Sequence, residues 1–135
     1  MRRREAGMTA VEFVLVTPVL IIAFLFVVGL ARMAHARQQV EDGAGEAARA
    51  ASLERNTALA AARGREVATA SLGDRGLSCA ALEVTVDVSS YDPGGVVRAR
   101  ISCTASLGDV ALAGLGGHRV FTSVAVVPIE EYRSR

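Results

Sequence analysis

The chain has 135 residues, a formal net charge of +1 and 15 basic residues, every one of them arginine. So balanced a charge offers no electrostatic footprint for nucleic acid, and an aromatic content of 4% argues against a large, rigid core. Roughly a hundred residues remain beyond the apolar run near the N-terminus, enough for one small domain.

The chain opens with Arg2-Arg3-Arg4-Glu5-Ala6-Gly7, followed by Met8-Thr9-Ala10-Val11-Glu12-Phe13, and carries no further charge until Arg32. The 19 residues from Phe13 to Ala31 are uncharged, long enough to cross a hydrocarbon layer of about 30 Å as a helix. Glu12 stands at the front of this run. A carboxylate inside a membrane helix costs roughly 2.5–3.5 kcal/mol on insertion scales, so such a residue calls for a partner and marks a functional site. Pro18 removes one backbone donor and frees the carbonyl of Val14, which predicts a mild kink that membrane helices tolerate. Three arginines precede the span, while Arg32 and Arg37 follow it with acidic residues soon after. The excess of positive charge places the N-terminus in the cytoplasm and the C-terminal domain outside. A secretory signal peptide is the competing reading, because Ala34-His35-Ala36 supplies an A-x-A cleavage pattern. The length of the apolar run, the intrusion of Glu12 and the amphipathic pattern that continues past Ala36 speak against it.

Residues 32–76 read as a helical stem. Met33, Ala36, Val40, Ala44, Ala47 and Ala51 recur at intervals of three and four, with Arg37, Gln38, Glu41, Asp42, Glu46 and Arg49 on the opposite face. The stripe is mostly alanine and suits close approach of another helix. It packs either on neighbouring molecules or on the chain's own sheet, and for Met33 to Ala47 a neighbouring molecule is favoured because the segment beside the membrane lies too far forward to reach the sheet easily. Gly45 is a weak point costing about 1 kcal/mol relative to Ala. Arg55-Asn56-Thr57 looks like a stop and restart, with Asn56 or Thr57 as N-cap. A second helix would then run through Leu59, Ala62, Val67 and Ala70 and end near Gly73. Periodicity leaves open whether this is one bent helix or two.

From residue 77 the period changes to two. Leu82, Val84, Val86 and Val88 alternate with Glu83, Thr85, Asp87 and Ser89, a half-buried strand. Asp92-Pro93-Gly94-Gly95 is a turn, and Val97, Ala99, Ile101 and Cys103 form the apolar side of the returning strand. A loop containing Gly108, Gly114, Gly116 and Gly117 leads to a third strand, Val120 to Val127, closed by Pro128. The economical fold is α+β: a long N-terminal helix, bent or broken near Asn56, then a small three-stranded antiparallel sheet over residues 77–129 packed on the second helix, and a polar tail over 130–135.

Cys79 and Cys103 are the only cysteines, and both fall on the expected external side, where disulfides persist. A disulfide between them is expected, the alternative being two buried free thiols; it would close a loop of about 25 residues and contribute roughly 3 kcal/mol. A hairpin folded about Pro93 sets Cys103 opposite Glu83, so Cys79 has to bend back to reach it. No metal or cofactor is expected: His35 and His118 lie far apart, and there is no CxxC. The stretch Gly114-Leu115-Gly116-Gly117 lacks the strand-then-helix setting of a phosphate loop, and no GxSxG-type nucleophile occurs. The chain therefore reads as non-enzymatic, with no nucleic acid and no small-molecule substrate.

The basic leader ending in Gly7, with Glu12 fifth in the chain that would begin at Met8, resembles the leader of the type IV pilin superfamily. Residues Gly7 to about Ala51 are similar, more narrowly, to the TadE-like family of the tight-adherence (Tad) pilus assembly system. The features that carry the likeness are Gly7, Ala10-Val11-Glu12-Phe13, Pro18 in the apolar span, Ala36-Arg37-Gln38-Gln39-Val40 and Glu46-Ala47-Ala48-Arg49-Ala50-Ala51. The resemblance covers about a third of the chain. It implies a minor pilin or pseudopilin with residues 1–7 as leader and residues 8–31 as the cytoplasmic-membrane span. A prepilin peptidase would cut between Gly7 and Met8. Glu12, beside Phe13, would meet the new amino group of another subunit. Other pilins and minor pilins of a Tad-type (Flp) pilus, or of a related secretion apparatus, would be its partners. Met8 departs from the small or polar first residue usual in that processing pattern. The alternative is a membrane-tethered or secreted binding domain unrelated to pili.

Overall fold

A computed structural model describes residues 2–106, 108 and 117–132, with side chains from Ala10 onward. Its elements are helices α1 (Arg2–Ser52) and α2 (Thr57–Asp74), then strands β1 (Cys79–Ser90), β2 (Val96–Ser106) and β3 (His118–Pro128). The chain divides into two units, one holding α1 as far as Met33 and the other comprising Ala34–Ser106 and His118–Arg135. The architecture is α+β, as expected from the change of period. His118 begins the third strand rather than lying in the loop before it.

The helical stem is two helices. At the end of α1 the backbone tightens, with Leu53 N donating to Ala50 O and Glu54 N to Ala51 O, while the Ser52 hydroxyl donates to Arg49 O at 2.8 Å. Asn56 then adopts an extended conformation and caps α2, its Oδ1 accepting from Leu59 N at 2.8 Å. Such a cap satisfies a donor that has no partner within the helix. At the far end of α2, Gly76 N donates to Gly73 O and Leu77 N to Leu72 O. Gly76 takes a positive φ of 74°, and this pair of bonds around a left-handed glycine is the Schellman ending. It leaves Leu77 packed against the cluster that contains Leu72, the apolar contact that usually accompanies the motif.

The break reverses the chain. The Arg75 guanidinium reaches Asp42 at 3.3 Å and Glu46 at 2.5 Å, whereas Gly64 faces Ala47 and Ala51. The helices of this unit therefore run antiparallel. This corrects the expected partner of the alanine stripe. Ala36, Val40, Ala44, Ala47, Ala48 and Ala51 are buried within the chain itself. Most of them share one core with Ala68 and Leu72 of α2 and with Ala99, Ile101, Cys103 and Ala105 of β2. The turn at residues 53–56 supplies the reach that linear distance along the stem did not suggest. The apolar face of α2 is rotated from the expected one: Ala60, Gly64, Ala68 and Leu72 are buried, while Leu59 is exposed.

The sheet order is β1-β2-β3, antiparallel throughout. Strand β2 turns Val97, Ala99, Ile101 and Cys103 inward, as its alternation predicts. The register corrects one expectation: Cys103 opposes Leu82, not Glu83. Close to the turn, Ser90 pairs with Val96, and the register then slips by one between Asp87 and Ser90. There Asp87 Oδ1 accepts from Ser89 N at 2.9 Å, a local side-chain bond that competes with the strand ladder. A second irregularity between Cys79 and Ala81 pairs Cys79 with Ala105. Cys79 thereby becomes a diagonal, same-face neighbour of Cys103, and the two are bonded with Cα atoms 5.3 Å apart.

The core is thin. Among the described residues, the largest fully buried side chains are Leu72, Ile101, Val40, Val97 and Cys103. An aliphatic side chain contributes about 1.5–3 kcal/mol on burial, so a disulfide worth roughly 3 kcal/mol ranks with the strongest single contributions here.

Candidate functional site: the apolar helix and its carboxylate

The site to which the sequence points is the N-terminal half of α1. Gly7 and Met8 lie within its helical backbone, and their side chains are outside the described ones. Glu12 and Phe13 are exposed, and no cation pairs with Glu12 among the described residues. The residues that follow show what kind of surface surrounds it. Phe13, Val14, Leu15 and Val16 are 72%, 72%, 68% and 46% exposed. Successive helical residues are about 100° apart, so these four sample the whole circumference. Val19, Leu20, Ile21, Ile22, Phe24, Phe26 and Val27 are exposed as well. A helix that is apolar on every side, yet uncovered, belongs in hydrocarbon rather than in water. By length and composition it is able to cross a membrane.

Helix α1 passes through Pro18 without interruption. Proline cannot donate to the carbonyl four residues back, so Val14 O loses its helical partner. One residue earlier, the Thr17 hydroxyl donates to Phe13 O at 2.6 Å, an i−4 back-bond of the kind by which Ser and Thr bend helices slightly. The helix also continues unbroken through Ala34, His35 and Ala36, the positions at which a secretory cleavage would fall. His35 lies on its exposed face, 3.1 Å from the Gln39 amide.

The second unit is held together by contacts that local sequence did not signal. Arg75, next to the end of α2, bridges Asp42 and Glu46 of α1, and its Nε donates to Ser71 Oγ at 3.2 Å. The Ser71 hydroxyl, and after it the Arg75 guanidinium, hold the Glu46 carboxyl below the ordinary glutamate range against an opposing effect of burial. Asp87 is likewise lowered, chiefly by the Ser89 hydroxyl and amide. The Tyr91 hydroxyl lies 2.7 Å from Ala51 O and 2.6 Å from Glu54 O. It thereby tethers the end of β1 to the last turn of α1 and the turn that follows it. Between α1 and the end of β3 runs an open groove of about 750 Å³, lined by Gly45, Leu53, Val127 and Pro128, with Glu46 and Arg49 among the charged residues on its walls. The expected glycine-rich loop lies largely outside the described residues, which include only Gly108 and Gly117 of it.

Helix and sheet together define a small disulfide-bonded α+β domain in one chain with an apolar helix of membrane-spanning length, consistent with a single-pass membrane anchor. Residues 7–49 match the family described as TadE-like protein, the segment that contains Gly7, Met8, Glu12, Phe13 and Pro18, and this match supports a Tad pilus-associated protein. No curated protein and no solved structure matches the chain.

Proposed function

We propose that this protein is a membrane-anchored minor pilin or pseudopilin that acts, without enzymatic activity, in assembly of a Tad-type (Flp) pilus or a related secretion apparatus. The observation that carries the reading is Glu12: an exposed carboxylate, five residues after Gly7, leading an apolar helix uncovered on every side, inside the segment that matches the TadE-like family. In this reading a prepilin peptidase cuts between Gly7 and Met8 on the cytoplasmic side, and the released amino group of a neighbouring subunit meets Glu12. Opposite charges attract strongly in low dielectric, which offsets much of their desolvation. Phe13 and the residues after it form the packing surface, and Pro18 with Thr17 relaxes the helix between them. The disulfide between Cys79 and Cys103 supports an extracytoplasmic domain, because such bonds persist in oxidising compartments.

Mass spectrometry of the native N-terminus tests the processing step, with a start at Met8 expected. Replacement Glu12→Ala tests the assembly step: membrane insertion stays intact or improves, since a costly charge is gone, whereas incorporation into the assembly is lost. Normal piliation in that variant sinks the assignment. An intact Met1 in piliated cells sinks the processing step alone.

A further inference from the structure

The two sulfurs of the Cys79–Cys103 bond stand in different surroundings. Cys103 is fully buried. It lies on the central strand, between Leu82 of β1 and Phe121 of β3, in the apolar core with Val40 and Ile101. Cys79 is only partly buried and packs against that core from its margin. It opens β1, an edge strand that pairs with β2 alone among the described residues. Cys79 pairs with Ala105, and the ladder is then irregular as far as Ala81. On either side of it Ser78 and Ala80 are exposed.

Thiol–disulfide exchange needs a thiolate and room at the sulfur that is attacked. Cys103 offers neither. Reaching it means parting the central strand from a neighbour, and a negative sulfur among apolar side chains is expensive. Cys79 needs only the end of an edge strand to lift, a local opening that costs far less than unfolding. Leu77 N stays bonded to Leu72 O throughout, so the segment that lifts begins at Ser78.

We propose that Cys79 is the site at which a dithiol–disulfide oxidoreductase engages this protein, and that Cys103 reacts only with Cys79. Cys79 gives up its proton, and its sulfur attacks one sulfur of the catalyst's disulfide. That bond breaks, the catalyst's other sulfur takes up a proton, and a mixed disulfide joins Cys79 to the catalyst. Cys103, whose Cα lies 5.3 Å from that of Cys79 in the finished bond, then loses its proton and attacks the Cys79 sulfur. The catalyst's first sulfur departs and is protonated. Two thiols of this chain are oxidised and one disulfide of the catalyst is reduced to two thiols. In the reverse direction Cys103 is the leaving group, and its burial slows reduction of the finished bond. The inference concerns the second unit alone and does not rest on the pilus reading.

The test uses the full chain in detergent. Oxidised protein is treated with reduced glutathione, quenched in acid and mapped by mass spectrometry; Arg98 and Arg100 put the two cysteines on different tryptic peptides. Glutathione is expected on Cys79 in at least about tenfold excess over Cys103. Reduced protein mixed with an oxidised CxxC oxidoreductase should give a transient covalent complex that persists in Cys103→Ala and is lost in Cys79→Ala. With the small disulfide DTNB, the thiol left in folded Cys103→Ala should react about a hundredfold faster than the one left in folded Cys79→Ala, the difference vanishing in guanidinium. Where circular dichroism shows that a variant does not fold, the glutathione map of the unaltered protein decides. Glutathione on Cys103, on both cysteines alike or on neither overturns the proposal, as does a covalent complex through Cys103 or equal reactivity of the two folded variants.

Discussion

Gly64 sets α2 close against α1 and β1, and replacing it by alanine sets two effects against each other. In an exposed helix interior Gly→Ala gains about 1 kcal/mol of propensity. At position 64, however, the added Cβ would lie 2.8 Å from Val86 Cγ2 and 3.3 Å from both Ala47 O and Ala51 Cβ. Valine is stiff at χ1 and a helix carbonyl is not free to move, so relief requires a shift of one layer against another. Overpacking of this kind costs about 1–3 kcal/mol, which leaves Gly64→Ala between neutral and about 2 kcal/mol destabilised once propensity is credited. Gly45→Ala is the internal control, because nothing lies within 4 Å of its added Cβ. It should realise the propensity gain in full. Thermal unfolding of the full chain in detergent, disulfide intact, compares the two; each kcal/mol corresponds to roughly 4–8 °C for a domain of this size. Gly64→Ala melting as high as Gly45→Ala would refute the close-packed helix–helix–sheet junction.

Replacing Cys79 and Cys103 together by alanine should lower stability by roughly 3 kcal/mol, read in the same melt, with reducing agent lowering only the unaltered protein. Tyr91→Phe should cost about 0.5–1.5 kcal/mol, and amide exchange should rise at the turn between α1 and α2 rather than across the sheet. Glu46 has its folded pKa depressed by Ser71 and Arg75. Its stabilising contribution is therefore present above the unfolded value, near 4.3, and disappears as pH falls below it through the folded value. Since Glu46 and Arg75 are both substantially exposed, at 47% and 33%, the increment is about 0–1 kcal/mol. Glu46→Gln should melt lower than the unaltered protein at neutral pH and equal it in acid; a difference that grows on acidification would refute the pairing.

What the sequence made legible was whatever physics acts over a few residues. The long apolar run, the helix restart at Asn56, the turn at Asp92 to Gly95 and the alternation of β2 each follow from local spacing or backbone preference, and the structure has them all. The stripe on α1 was legible as a face but not as a contact. Alanines at three- and four-residue spacing pack equally well on a neighbouring molecule or on an antiparallel helix of the same chain, and the choice was made by a four-residue turn. The bridge from Arg75 to Asp42 and Glu46, and the Tyr91 hydroxyl on the end of α1, join residues 29 to 40 positions apart, with no local pattern to announce them.

The hairpin shows how a small local bond defeats a sound inference about register. Counting outward from the turn put Cys103 opposite Glu83, and at Ser90 and Val96 that count is right. Asp87 then takes the Ser89 amide into a side-chain bond, the ladder slips by one, and Leu82 moves opposite Cys103. The cysteines still meet, because a second slip near Cys79 returns it to the inward face two positions along from Cys103. Burial explains the first slip. Ala81 and Glu83 are exposed while Val84 and Val86 face inward, and it is the first slip that sets the two valines opposite the buried Ile101 and Ala99. In the register of Ser90 and Val96 they would fall opposite Ser102 and Arg100 on the outer side, since a one-residue change of register exchanges the two faces. The alternation of β1 thus constrains which errors of register are survivable, and the disulfide fits only within that constraint.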